Sequence, residues 1–198
     1  MLILEGTYPF NGGGVSTWAH MLCNEVKNSN FTLYSINAEF ESKSKYKLSE
    51  NVTNVIQVPL WSPMEPQEMI DYGKKYYKII SLKEKNDLEK INQVFIPIFQ
   101  DLLRHIFSNN RDVRAFDDTI RKMWRYFQKH DYKKTMKSEP VWRTFCYMVS
   151  DLNSESENEK VTLYDLTSGM RWIYRFLIPL SVEVPRVDVS HLTLSGFP

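Results

Sequence analysis

Cysteine is scarce. Only Cys23 and Cys146 occur in the 198 residues, far apart and without metal-ligand spacing, which argues against a disulfide framework and a cysteine zinc site. Each lies in or beside an apolar run and reads as a buried thiol. An excess of charge of one sign is also missing: 25 basic residues face 24 acidic ones, a net charge of +1, so no overall field favours nucleic acid or an anionic membrane. No apolar run approaches the roughly twenty residues of a membrane span. No basic leader precedes a hydrophobic stretch, and the sequence predicts a cytoplasmic chain. The 42% hydrophobic content suits one core, or one domain with an insertion.

Glycine is sparse too, seven in all, yet Gly12, Gly13 and Gly14 are consecutive. They stand between the apolar run Met1-Leu2-Ile3-Leu4 and a helical pattern, so the opening reads as strand, glycine loop, helix. Lacking Cβ atoms, these glycines can take positive φ and let a ligand reach the backbone. The helix from Val15 has unpaired N–H groups in its first turn and about half a unit of positive charge there. Together these predict an anion site, most naturally for phosphate, at Gly12, Gly13, Gly14 and Val15. Asn11 and Gly12 add no charge, so the expected site is backbone alone; a purely structural glycine turn is the competing reading. Val15, Trp18, Ala19, Leu22 and Val26 fall at i, i+3, i+4, i+7 and i+11, a stripe expected to pack on a sheet through Trp18 and Leu22, with His20 outside it.

A dinucleotide-binding domain is a minor alternative. Its fingerprint needs glycines at first, third and sixth positions; Gly12 and Gly14 fit, but Thr17 holds the sixth. Glu39, after the next strand, could imitate the ribose-binding acid, but the loop from Glu5 to Gly12 is long for that tight turn.

Further along, 31–38 and 52–59 read as second and third strands, with a polar link between them too short for a comfortable helical crossover, so their relative direction stays open. From Leu60 the period becomes helical. One segment carries Met69, Ile70, Tyr72, Gly73, Tyr76, Tyr77 and Ile80, and Ser81 with Glu84 looks like a capping box for the next. That next helix bears Leu88, Ile91, Phe95, Ile98, Leu102 and Ile106 and must be kinked or divided by Pro97. A fourth carries Val113, Phe116, Ile120, Met123, Trp124 and Phe127, and a fifth Val141, Trp142, Phe145 and Val149. After a charged loop at 153–160, Thr162 with Asp165 caps a sixth, stopped by Pro179. Residues 187–193 read as the fourth strand. The reading is therefore α/β: a Rossmann-like, mostly parallel sheet from 1–59 and 186–198, interrupted by a helical insertion at 60–185. Arg121, Lys122, Arg125, Lys129, Lys133, Lys134 and Lys137 surround aromatic residues, but Asp117, Asp118 and Asp131 dilute the charge, and a nucleic-acid surface is not expected.

The run Glu5-Gly6-Thr7-Tyr8-Pro9-Phe10 followed by Gly13-Gly14-Val15-Ser16-Thr17-Trp18 resembles the opening of the PelF-like glycosyltransferases, members of the large retaining group with the two-domain GT-B fold. Asp188, Val189 and His191 match an Asp-Val-x-His of that family, and Ser195-Gly196 its Ser/Thr-Gly step into a helix. That family has a basic residue just before the paired glycines, where this chain has Gly12, and it carries a helical insertion in this half. The resemblance implies the N-terminal domain of an enzyme that moves a sugar from a nucleotide-sugar donor, a UDP-sugar above all, to a growing exopolysaccharide or related acceptor with retention. No cofactor and no metal are implied. Gly12, Gly13, Gly14 and Val15 would form a donor-phosphate or acceptor loop, in which Gly13 and Gly14 would help the departing diphosphate, while Glu5, His191, Ser195 and Gly196 would line the cleft, His191 at the end of a parallel strand where such sheets place ligands. The family's donor-binding glutamates lie in a second Rossmann-like domain, so catalytic residues are expected beyond Pro198 and the chain alone is not expected to be active. Implied partners are that domain, the glycan acceptor and membrane-associated polysaccharide-synthesis proteins. The alternative is a non-catalytic nucleotide-binding or protein-interaction module of a polysaccharide assembly.

Overall fold

β1 (Leu2–Glu5), β2 (Phe31–Asn37), β3 (Val52–Pro59) and β4 (His191–Thr193) form one sheet in the order β3-β2-β1-β4, and every pairing is parallel. The computed structural model describes residues 1–41, 43–63, 65, 77, 87–108, 112–153 and 161–193. Helix α1 (Gly14–Glu25) connects β1 to β2, which makes the arrangement a Rossmann-like α/β fold. The chain divides into two compact units, Met1–Met64 with Val184–Pro198, and Glu65–Glu183.

In the first unit the inner strand β2 is buried along almost its whole length, as a parallel strand covered on both faces should be. Leu2 and Leu4 of β1 stand opposite Leu33 and Ser35. They join Tyr8, Ala19, Cys23, Phe31 and Leu33 in one core, with Val15, Leu22, Tyr46, Leu48, Val52 and Val55 packed against it. The direction left open by the sequence is settled as parallel: β2 and β3 are joined without any helix among the described residues of 38–51. The fourth strand is shorter than expected. Only His191–Thr193 pair with β1, and 187–190 lead into it as irregular chain.

The inward face of α1 is rotated from the expected stripe. Ser16, Ala19 and Cys23 are its buried residues, Val15 and Leu22 flank them, and Trp18 is 38% exposed. Small side chains at the centre of the contact let the helix lie close on the sheet, while the larger ones splay to its sides. Val26 falls outside the helix and is exposed.

The second unit is helical. A turn at Leu88–Lys90 runs into a π-helical segment, Ile91–Phe95, and then α2 (Ile96–Phe107). Pro97 in the first turn of α2 has no N–H to return to Gln93, and the preceding turn widens, the Ile96 N–H reaching the Ile91 carbonyl. After it come α3 (Val113–Phe127), α4 (Tyr132–Met136), α5 (Glu139–Asn153), α6 (Leu163–Phe176) and a 3-10 turn, Ile178–Ser181. Phe95 is the hub of the core, its ring centroid 4.9 Å from that of Tyr126, 5.2 Å from Phe127 and 5.8 Å from Phe99. Tyr132 continues it to Tyr174, and its hydroxyl donates to the Tyr174 carbonyl. On α3 the expected stripe also turns: Val113 and Phe116 are exposed, and Thr119, Met123, Tyr126 and Phe127 face inward. Cys23 is buried as expected, but Cys146 on α5 is only partly so. Apart from Tyr77, the expected helix from Met69 to Ile80 lies outside the described residues. So do the Ser81–Glu84 box and residues 154–160.

Candidate functional site

β1 ends at Glu5, and the chain turns over the carboxyl edge of the sheet at Gly6, whose φ of 57° favours glycine and whose N–H still reaches the Ile36 carbonyl at 2.8 Å. The Thr7 carbonyl accepts from the N–H groups of Phe10 and Asn11, at 3.0 and 2.8 Å, which curls the loop. Tyr8 is its anchor. Its ring is fully buried, 5.7 Å from the His20 ring and 5.2 Å from that of Tyr46, and burial together with Cys23 and Tyr46 pushes its hydroxyl up to about 12. Burial also pushes the Cys23 thiol up to about 11, so it stays protonated and inert at neutral pH.

The loop then delivers Gly12, Gly13 and Gly14 to the surface at the start of α1. Gly13 is the N-cap, with φ 148°, a value that side chains avoid, and a Cβ placed there or at Gly14 would meet nothing within 4 Å. No side chain caps this helix, although the Gly13 carbonyl accepts from the N–H and the hydroxyl of Thr17, at 2.9 and 3.0 Å. Among the described residues nothing accepts from the N–H groups of Gly13, Gly14 or Val15. They are the orphan donors of a helix start, open to the outside. The buried hydroxyls of Thr7 and Ser16, on the loop and in the first turn of α1, also lack a partner.

A cation reaches this point from elsewhere. Pro9 offers its carbonyl to the Lys45 N–H at 2.9 Å and to the Ser44 hydroxyl at 3.2 Å, which fastens the β2–β3 link to the glycine loop. The Lys45 ammonium then lies over Gly12, 2.8 Å from where a Cβ would stand. A glycine at 12 thus leaves room for a lysine thirty-three residues on, and no carboxylate among the described residues pairs with it. No local pattern marks Lys45, since 43–47 is irregular chain and its place is set by the contacts of Ser44 with Pro9 and of Tyr46 with Tyr8.

Of the sequence-predicted residues, Gly12, Gly13, Gly14 and Val15 are together, and Glu5 stands at the end of β1 beside Gly6. His191 does not stand at the ligand end of its strand. It is the first residue of β4, opposite Leu2, with its ring 5.3 Å from that of Trp18. The strand starts there because the Met1 carbonyl accepts the His191 N–H, so the ligand edge lies beyond Thr193. Ser195 and Gly196 lie outside the described residues. For a dinucleotide, Glu39 is exposed after β2, and the loop from Gly6 to Gly13 is far longer than that fingerprint's turn.

In the second unit much of the basic charge is paired: Arg121 with Asp117 at 2.7 Å, Lys122 with Asp118 at 2.6 Å, and Lys133 and Lys137 with Glu65 at 3.2 and 3.3 Å. Among the described residues, no three His, Cys, Asp or Glu side chains gather as a metal site, and no helix is long and apolar enough to cross a membrane.

No curated protein and no solved structure matches the chain. Residues 1–198 match the family described as a domain of unknown function (DUF3492), and the chain belongs to that family.

Proposed function

We propose that the chain is the N-terminal, donor-facing part of a retaining GT-B glycosyltransferase, of the PelF-like kind, that transfers a sugar from a UDP-sugar to a growing exopolysaccharide or related acceptor. The observation that carries the reading is the set of unpartnered N–H groups at Gly13, Gly14 and Val15, open at the carboxyl edge of a parallel sheet. Donors fixed in place before the reaction stabilise a departing diphosphate without reorganising. Lys45 adds a full positive charge where the helix terminus alone contributes roughly 0.3 to 1 kcal/mol per ligand charge when exposed. Two like-signed poles side by side repel, and an anion between them relieves both. The residues that assist cleavage of the bond between the sugar and the diphosphate are assigned to a second Rossmann-like domain, and the reaction belongs in the cytoplasm, where nucleotide sugars are available.

Gly14→Trp is the sharpest test, because the helical Gly14 faces open space and its substitution fills the phosphate position without the strain expected at Gly13. In the full-length protein it is expected to lower UDP-sugar turnover about a hundredfold. Lys45→Ala is expected to lower it about tenfold. An active parent whose Gly14→Trp variant turns over at the same rate would remove the loop from the mechanism, whereas a full-length parent without UDP-sugar turnover would favour a non-catalytic module.

A further inference from the structure

His20, Asn24 and Lys27 fall at i, i+4 and i+7 on α1 and its C-terminal extension, a polar line beside the buried one, and they face Lys47–Asn51 of the β2–β3 link across a cleft of about 620 Å³. That is within the usual range for a small-molecule site. The wall opposite the helix is pinned at both ends. Tyr46 packs on the rings of Tyr8 and His20, at 5.2 and 5.0 Å, and the Asn51 amide donates to the carbonyls of Val26 and Ser29, at 2.9 and 3.1 Å. The helix side is fixed too. The His20 Nδ1 is 3.4 Å from the Tyr8 hydroxyl, and the Asn24 amide nitrogen is 3.2 Å from the His20 ring and donates to the His20 carbonyl at 2.7 Å. Asn24 Oδ1 accepts from nothing among the described residues.

The charge in this cleft is unbalanced. Neither Lys27 nor Lys47 is in ion-pair contact with a carboxylate among the described residues, even though Glu50 lines the same space. Two ammonium groups suit an anion, whereas Asn24 Oδ1, the Ser49 hydroxyl and the Glu50 carboxylate suit hydroxyl donors.

We propose that this cleft binds a small sugar bearing a carboxylate or a phosphate group. It lies on the flank of α1, separate from the glycine loop, and its occupancy does not depend on the loop holding a diphosphate.

The test is a titration of the intact 198-residue chain, followed by amide NMR, with glucuronate, glucose 6-phosphate, glucose and inorganic phosphate in separate arms. Saturable shifts at Asn24, Lys27 and 47–51 with one or both acidic sugars are expected, and the arm that saturates identifies the anion. Glucose is expected to give none, and the Lys27→Ala/Lys47→Ala variant to bind at least about tenfold more weakly while keeping the wild-type spectrum elsewhere. Equal shifts with inorganic phosphate alone would mark an adventitious ion only. That result, equal shifts with glucose, a response that never saturates, or unchanged binding by the double variant would each overturn the proposal. The Gly13 and Gly14 amides report the other site, so the two readings fail separately.

Discussion

Glu65 is held by side chains of its own unit: the Tyr174 hydroxyl donates to it, and the ammonium groups of Lys133 and Lys137 lie 3.2 and 3.3 Å away. Burial opposes its ionisation more than any single contact favours it. The hydrogen bonds from Tyr174 and Lys133 and the charges of Lys137 and Lys133 together still hold the carboxyl below the usual glutamate range. A carboxyl lowered in this way stabilises the fold fully above its unfolded range and loses that contribution as pH falls through its own, lower value. Glu65→Gln is therefore expected to cost about 1–3 kcal/mol at pH 7, and the gap from the parent should close as pH drops below about 4. Thermal melts at the two pH values check it, and an unchanged gap would mean that the charge adds nothing. Nothing in the local pattern marks this carboxylate, since its partners are about seventy to a hundred and ten residues away. Lys45 was hidden for the same reason, whereas Gly13 and Gly14 were legible because glycine states its backbone role locally.

At the scale of elements, what the sequence determines locally came through. The Thr162–Asp165 capping box is present in full: the Asp165 N–H donates to the Thr162 hydroxyl at 3.2 Å, and the Thr162 N–H donates to the Asp165 carboxylate at 2.9 Å. The Thr162 hydroxyl also donates to that carboxylate, at 2.6 Å, and this bond first, then the one from the Thr162 N–H, holds the Asp165 carboxyl below its usual range. Thr162→Ala leaves the first turn of α6 without its side-chain acceptor and is expected to cost about 1 kcal/mol, with Thr162→Ser restoring most of it. The urea midpoints of the three proteins measure this, and a parent-like Thr162→Ala midpoint would show that the cap is redundant. Pro97 likewise announced its break, through the missing N–H, although not that the break would be a π turn on its N-terminal side. The rotation of helix faces was not legible. Apolar spacing places Trp18 and Phe116 on the same stripes as Ala19 and Met123, and only the closeness of the neighbouring element decides which of them the contact can hold.

At the scale of the whole molecule, the parallel sheet was legible from its four apolar runs, and the strand order β3-β2-β1-β4 was not, because the polar link between β2 and β3 carries, among its described residues, no crossover helix to declare its direction. The helical unit, Glu65–Glu183, is one unbroken stretch of chain with a core of its own, in which Phe95, Phe99, Leu103, Met123, Phe127, Tyr132 and Ile178 are buried. Its length is in the range of an independent domain, roughly a hundred residues, and its polar anchors, Glu65–Tyr174 and Tyr132–Tyr174, begin and end inside it. A peptide of residues 65–183 is accordingly expected to fold by itself, with a helical circular-dichroism spectrum and one cooperative urea transition that Trp124, Trp142 and Trp172 report by fluorescence. In that peptide Glu65→Gln should lower the midpoint as it does in the intact chain, because all of the described partners are retained. A low-helicity spectrum or a gradual transition would show instead that the helices depend on residues 1–64 or 184–198 for their core.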